Sequence, residues 1–232
     1  VTSEGTAFLR ARQPEQKQQR YRAILDAARA LGRRDGVGAV SLAGIAAEVG
    51  MHKSALLRYF GTREEIFLRL AEAEWREWAD AVVAALDARP AGDGWDADAE
   101  HVAGVLGRSL AERPLLCQLL LHATLTLERN VSLDAVRSFK TATGAALDTV
   151  ADAVHRALPE LDRAACAELL AVGGVVAAGL WQATHPPPVV RELYAEHPPI
   201  PGLEHHASLD FGDAMVRFAL VHAAGLRRTA RR

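Results

Sequence analysis

Ser41-Leu-Ala-Gly-Ile-Ala-Ala-Glu-Val-Gly50-Met-His-Lys53-Ser-Ala-Leu-Leu-Arg-Tyr-Phe60 reads as two short helices joined by a tight turn. Ser41 is a natural N-cap, Leu42, Ile45, Ala46 and Val49 recur at three- and four-residue steps, and Gly50 supplies the stop. After Gly50, Met51 and His52 the spacing predicts a second helix over Lys53–Phe60, with Leu56 and Phe60 facing inward at i and i+4. Helices this short do not persist alone in water, so both must pack between neighbours. An αα unit with a glycine turn has the form of a helix-turn-helix, whose second helix lies in a DNA major groove while the first braces it.

The side chains on the outward face of the second helix suit that placement. Lys53, Ser54, Ala55, Leu57, Arg58 and Tyr59 point away from the Leu56–Phe60 stripe. Arg58 offers charge-assisted bonds to phosphate or guanine, Tyr59 a hydroxyl to phosphate, and Lys53 reaches a base edge. Ser41 at the start of the first helix, and Arg63 at the start of the helix that follows, complete the candidate DNA surface as donors near helix N-termini.

Outward from this core the pattern stays helical. Residues 1–15 are polar, contain Pro14 and read as a flexible arm. From Gln16 an apolar stripe of Tyr21, Ile24, Leu25, Ala28 and Leu31 marks a first helix that Gly36 ends. Thr62-Arg-Glu-Glu65 forms a capping box that opens a long helix to about Leu86. Beyond the Pro- and Gly-containing loop 88–95, helices are predicted over Asp98–Glu112, Pro114–Glu128, Ser132–Leu158, Asp162–Thr184, a short piece near Val189–Glu196, and Ser208 to about Leu226. The fold class is therefore all-α, with about nine or ten helices: a three-helix N-terminal unit (16–61) and a larger C-terminal helical bundle (62–232).

Composition narrows the function classes. Of 232 residues, 50% are hydrophobic and 24% charged, which fits a globular helical protein. The net charge is only −2, yet basic side chains gather in the first 63 residues while the remainder is acidic, so any nucleic-acid grip is local. Cys117 and Cys166 sit in apolar runs without C-x-x-C spacing, which points to a reducing, cytoplasmic setting and away from disulfides or zinc. His197, His205 and His206 share a proline-rich loop and read as solvated side chains, so no metal or cofactor is expected. The apolar run 164–181 carries Glu168 and three glycines and reads as a buried helix, not a membrane span. No nucleophile elbow, phosphate loop or H-E-x-x-H helix occurs, so the chain is not expected to be an enzyme.

The segments Ile24-Leu-Asp-Ala-Ala28, Ser41 to Gly50, Lys53 to Phe60 and Thr62-Arg-Glu-Glu-Ile66 together resemble the DNA-binding signature of the TetR family of one-component regulators. The resemblance implies a homodimer that sets two recognition helices in successive major grooves, and a small molecule in the helical body that shifts their spacing. This sequence departs from the family pattern at Ala43 and Gly44, where members often carry Arg and Asp, at His52, a poorer cap than the usual Ser, and at Leu57, where a phosphate-contacting Tyr is common.

The body then supplies the sensor and the dimer surface. The predicted helix 162–184 is apolar nearly all round, so one face is expected to meet the core and another a second copy, with Gly174, Ala178, Trp181, Phe211, Met215 and Phe218 as candidate dimer residues. Phe67, Trp75, Trp78, Cys117, Leu121, His122, Phe139 and Trp181 are candidate walls of an apolar ligand pocket. The function these readings imply is a ligand-responsive repressor that binds a palindromic operator in double-stranded DNA as a homodimer and is released by a small, largely apolar effector. The alternative is a dimeric helical module that binds small molecules or proteins without reading DNA sequence.

Overall fold

The computed structural model describes residues 4–89, 91, 92, 94–195 and 209–230, and the described residues contain helices and turns without strands. His197, His205, His206 and Ser208, singled out from the sequence, lie outside them. The chain forms two compact units, residues 1–70 with 122–136, and residues 71–121 with 137–232.

In the first unit, α1 (Glu4–Asp35) is a single helix of 32 residues, so the segment expected as an irregular arm is helical from Glu4 onward. Ala, Leu, Arg and Gln, all good helix formers, dominate residues 7–13. Arg33 and Arg34 complement the C-terminal dipole and Gly36 ends the helix at φ 85°. α2 (Leu42–Glu48) starts at Ser41, whose hydroxyl accepts from the Gly44 amide at 3.0 Å. Gly50 turns the chain at φ 63°. α3 (Lys53–Leu56) is one α-turn, shorter than the helix expected over Lys53–Phe60, and tightens through Arg58 N–H to Ala55 O and Tyr59 N–H to Leu56 O bonds. That tightening brings Phe60 inside, where it stacks on Tyr21 of α1 with ring centroids 4.7 Å apart. Ile24, Ala28, Ile45, Leu56, Phe60 and Ile66 are all buried in this unit.

α4 (Arg63–Asp87) opens with the anticipated cap, modified: the Glu65 amide donates to Thr62 Oγ1 at 3.1 Å, but the Glu65 carboxylate returns to the Gly61 amide at 2.8 Å. The second unit holds α5 (Trp95–Ala111), α6 (Pro114–His122, whose last residue belongs to the first unit), most of α7 (Leu133–Ala157), α8 (Arg163–Thr184), α9 (Pro188–Ala195) and α10 (Phe211–Ala230). Its core is made by Trp75, Trp78, Leu106, Leu116, Cys166, Leu169 and Met215, among others. α10 runs along α5 and α8; Arg227 lies 4.4 Å over the Trp95 ring at one end and Gly107 meets Val216 further along. A π-helix, Ala123–Leu127, continues α6 directly, a feature that hydrophobic periodicity does not reveal.

Candidate nucleic-acid interface and apolar cavity

α2 and α3 place the predicted reading residues in two layers. Leu56 and Phe60 are 0% and 1% exposed and anchor α3, while Lys53, Ser54, Leu57 and Arg58 are exposed and Ala55 and Tyr59 half-buried. His52 caps α3 more fully than its residue type suggested: its Nδ1 lies 2.9 Å from the Ser54 hydroxyl and 3.4 Å from the Ser54 amide. Ser54 therefore presents its hydroxyl from a fixed position, and the exposed Lys53 and Arg58 give this surface its positive charge. Leu57, 41% exposed, leaves an apolar side chain on the same face.

Two predicted members are used differently. Ser41 spends its hydroxyl on the α2 cap. Arg63 is half-buried, with Nε donating to the Val40 carbonyl, Nη2 to the Val37 carbonyl and Nη1 to Glu64 at 3.2 Å. The donors foreseen for phosphate are thus turned onto the protein's own backbone, because two loop carbonyls lie within reach of a planar fork.

The second unit contains a cavity of about 30 Å³ lined by Trp75, Trp78, Leu106, Leu110, Leu120, Leu169, Leu170, Gly173, Gly174, Met215, Phe218 and Ala219. Its lining carries no charged side chain. The Trp75 and Trp78 rings meet edge to face at 5.3 Å, and the Trp78 indole N–H donates to Ser109 Oγ at 3.0 Å, so its polar edge is already satisfied. Of the eight side chains expected to form a pocket, the cavity uses only the two tryptophans. Phe67 and His122 belong to the first unit, and Leu121 and Phe139 lie off the wall. Cys117 is buried with its thiol on the Leu110 carbonyl, 3.3 Å away. Burial pushes the Cys117 thiol up to about 12 and Cys166 up to about 11. Trp181 packs against His185 at 3.6 Å and edge-on to Phe211 at 5.2 Å. The leucines and glycines of α5 and α8 that do line the cavity carry no aromatic signal, which is why aromatic spacing missed them.

Outside the cavity, α8 and α10 border an open groove of about 1280 Å³ that includes Val176, Leu180, Phe218 and Val221. Val175 of α8 is 74% and Val221 of α10 65% exposed, while Leu169, Leu170 and Ala177 of α8 are buried, so α8 turns apolar side chains both inward and outward. Among the predicted dimer residues only Phe218 lines this groove; Gly174 and Met215 face the cavity, Phe211 and Trp181 are buried, and Ala178 is half-buried. By length and composition α8 is apolar enough to cross a membrane, but it packs as a helix of this bundle, with Leu169, Leu170 and Ala177 in the core.

Residues 24–70 match the family model for bacterial regulatory proteins of the tetR family, and residues 72–230 match the model for the tetracyclin repressor-like C-terminal domain. No curated protein sequence matches the chain. Among solved structures, the fatty acid degradation regulator FadR from Bacillus halodurans is similar at a TM-score of 0.54 with 13% identity, over 89% of this chain and 99% of that one. FadR from Thermus thermophilus, a repressor solved with lauroyl-CoA, gives 0.52 with 15% identity, over 88% and 93%. RolR, solved with resorcinol, gives 0.54 with 17% identity, over 94% and 96%. At these identities the likeness is one of fold.

Proposed function

Because this chain belongs to the TetR family and is therefore a DNA-binding transcription regulator, we propose that it acts as a homodimeric repressor whose α3 reads a palindromic operator. The observation that carries this reading is the two-layered α3, with Leu56 and Phe60 locked in the core and Lys53, Ser54 and Arg58 exposed on the surface beyond the turn at Gly50. A merely structural hairpin has no need of such a polar, cationic outer face. Two copies would set their α3 turns about 34 Å apart, one turn of B-DNA. Val221, exposed in the groove, and Val175, exposed elsewhere on α8, support a second copy as the occupant of this face, since exposed apolar side chains are costly in water.

The effector's site is an expanded form of the apolar cavity. Its lining of tryptophan, leucine, methionine and glycine favours an uncharged, largely apolar molecule, because a buried charge there would find no partner. At about 30 Å³ the cavity is closed to anything larger than water, so a ligand must favour an expanded arrangement, and only that differential affinity can change DNA binding.

The test is a titration of purified protein against duplex DNA from beside its own gene, at two salt concentrations, with wild type and Arg58→Ala. Competitor-resistant binding that weakens with salt, and a loss of about 1–3 kcal/mol with a shallower salt slope in the variant, is the expected result. A folded dimer that selects no sequence from random DNA would instead favour the dimeric ligand- or protein-binding module.

A further inference from the structure

The residues between α1 and α2, Gly36-Val-Gly-Ala-Val40, have no polar side chain with which to hold themselves. They nevertheless determine where Ser41, the cap of α2, begins the helix-turn-helix. Within the loop the Ala39 amide donates to the Gly36 carbonyl at 3.1 Å, while the carbonyls of Val37 and Val40 accept from Arg63. The Arg63 guanidinium also pairs with Glu64 and lies 4.7 Å over the Phe67 ring, so each of its nitrogens and one of its faces is engaged. Val37 and Val40 are themselves buried, which makes an unmet carbonyl at either position expensive.

A second group holds the same loop. The ring of His122, the last residue of α6, packs on Gly38 so closely that a Cβ there would stand 3.3 Å from Cε1 and 3.4 Å from Nε2. Burial, and then the nearby Arg63 charge, lower the His122 pKa, so the ring serves as a neutral pad. The π-helix starts at the next residue, and Arg63, Glu64, His122 and Arg129 are the charged or titratable groups around the adjoining cavity of about 330 Å³.

We propose that Arg63 is a positioning residue and not a phosphate ligand: together with His122 it clamps the 37–40 loop to α4 and to the end of α6, and so sets the attitude of α2 and α3. This rests on the DNA-binding reading above. It also assigns to one side chain the reverse of what its place at a helix N-terminus suggests. Lysine cannot replace it, since a single ammonium lacks the flat fork that serves two carbonyls and a carboxylate at once.

The experiment compares wild type, Arg63→Lys, Arg63→Gln and Gly38→Ala on the duplex that wild type selects, at three salt concentrations and well below the melting temperature. A clamp predicts that Arg63→Lys and Arg63→Gln raise Kd by at least about tenfold with an unchanged salt slope, and that Gly38→Ala, which removes no charge, raises it by a smaller factor. A phosphate ligand predicts a slope smaller by about one for Arg63→Gln and near-native binding for Arg63→Lys, and that pattern overturns the proposal. Amide exchange at residues 37–42 is read in parallel without DNA. Faster exchange in Arg63→Lys supports the clamp and unchanged exchange overturns it, even if wild type binds no DNA, an outcome that would sink only the functional reading.

Discussion

Gly107 of α5 lies against Val216 of α10 with no room for a side chain: a Cβ on Gly107 would sit 2.7 Å from the Val216 backbone nitrogen. The backbone of a packed helix cannot step aside as a side chain can. Gly107→Ala is therefore expected to cost about 1–3 kcal/mol and lower the melting temperature by several degrees. Gly104→Ala, one turn earlier, meets only the guanidinium of the exposed Arg108 side chain, which can swing away. It should be neutral or gain about 0.5–1 kcal/mol from helix propensity, and calorimetry of the two variants side by side checks the contrast.

The turn at Gly50 is a separate case, because nothing lies within 4 Å of a Cβ there and the only obstacle is φ 63°. Gly50→Ala should lose about 1–2 kcal/mol by chemical denaturation and Gly50→Asn distinctly less. Equal losses would mean that space, not backbone conformation, governs the turn.

Assembly should depend on the exposed valines. Val175→Asp and Val221→Asp each place a carboxylate on a surface now 74% or 65% exposed, which costs the monomer little. In sedimentation velocity both variants are expected to shift toward monomer and to bind operator more weakly, since a buried unpaired charge opposes association. Variants that remain dimeric would place the interface elsewhere.

Both cysteines should be silent toward thiol reagents. With pKa values of about 12 for Cys117 and about 11 for Cys166, hardly any thiolate exists at pH 8, and both sulfurs are buried. Reaction with a chromogenic disulfide at pH 8 should be slow in the native protein and complete on denaturation; rapid native labelling would contradict the burial.

His122 should make stability fall on acidification. Its pKa in the folded protein lies below the usual 6.5, so between the two values the unfolded chain binds more protons. Its contribution is complete above about pH 6.5 and is lost as pH falls through the folded value. His122→Gln should flatten the pH dependence of the denaturation midpoint over that window, and an unaltered profile would show that other groups dominate.

Much of this molecule is legible from near-neighbour chemistry. The Ser41 cap, the Gly50 turn, the inward pair Leu56 and Phe60 and the Thr62 cap of α4 all depend on residues within four positions of each other, where spacing and propensity carry the information. The family signature follows from the same short-range pattern.

The succession of helices, their caps and turns, and the polar face offered by α3 are written in the chain, because each follows from hydrogen bonds and apolar steps along a single stretch of residues. Long-range packing alone sets the rest: Arg63 turns inward to carbonyls 23 and 26 residues away, Trp75 and Trp78 share a cavity with leucines of α5 and α8 while Phe139 and Trp181 do not, and one side of the apolar α8 is left exposed. Those outcomes depend on where distant segments meet, and an apolar or cationic residue type is compatible with several partners until packing selects one.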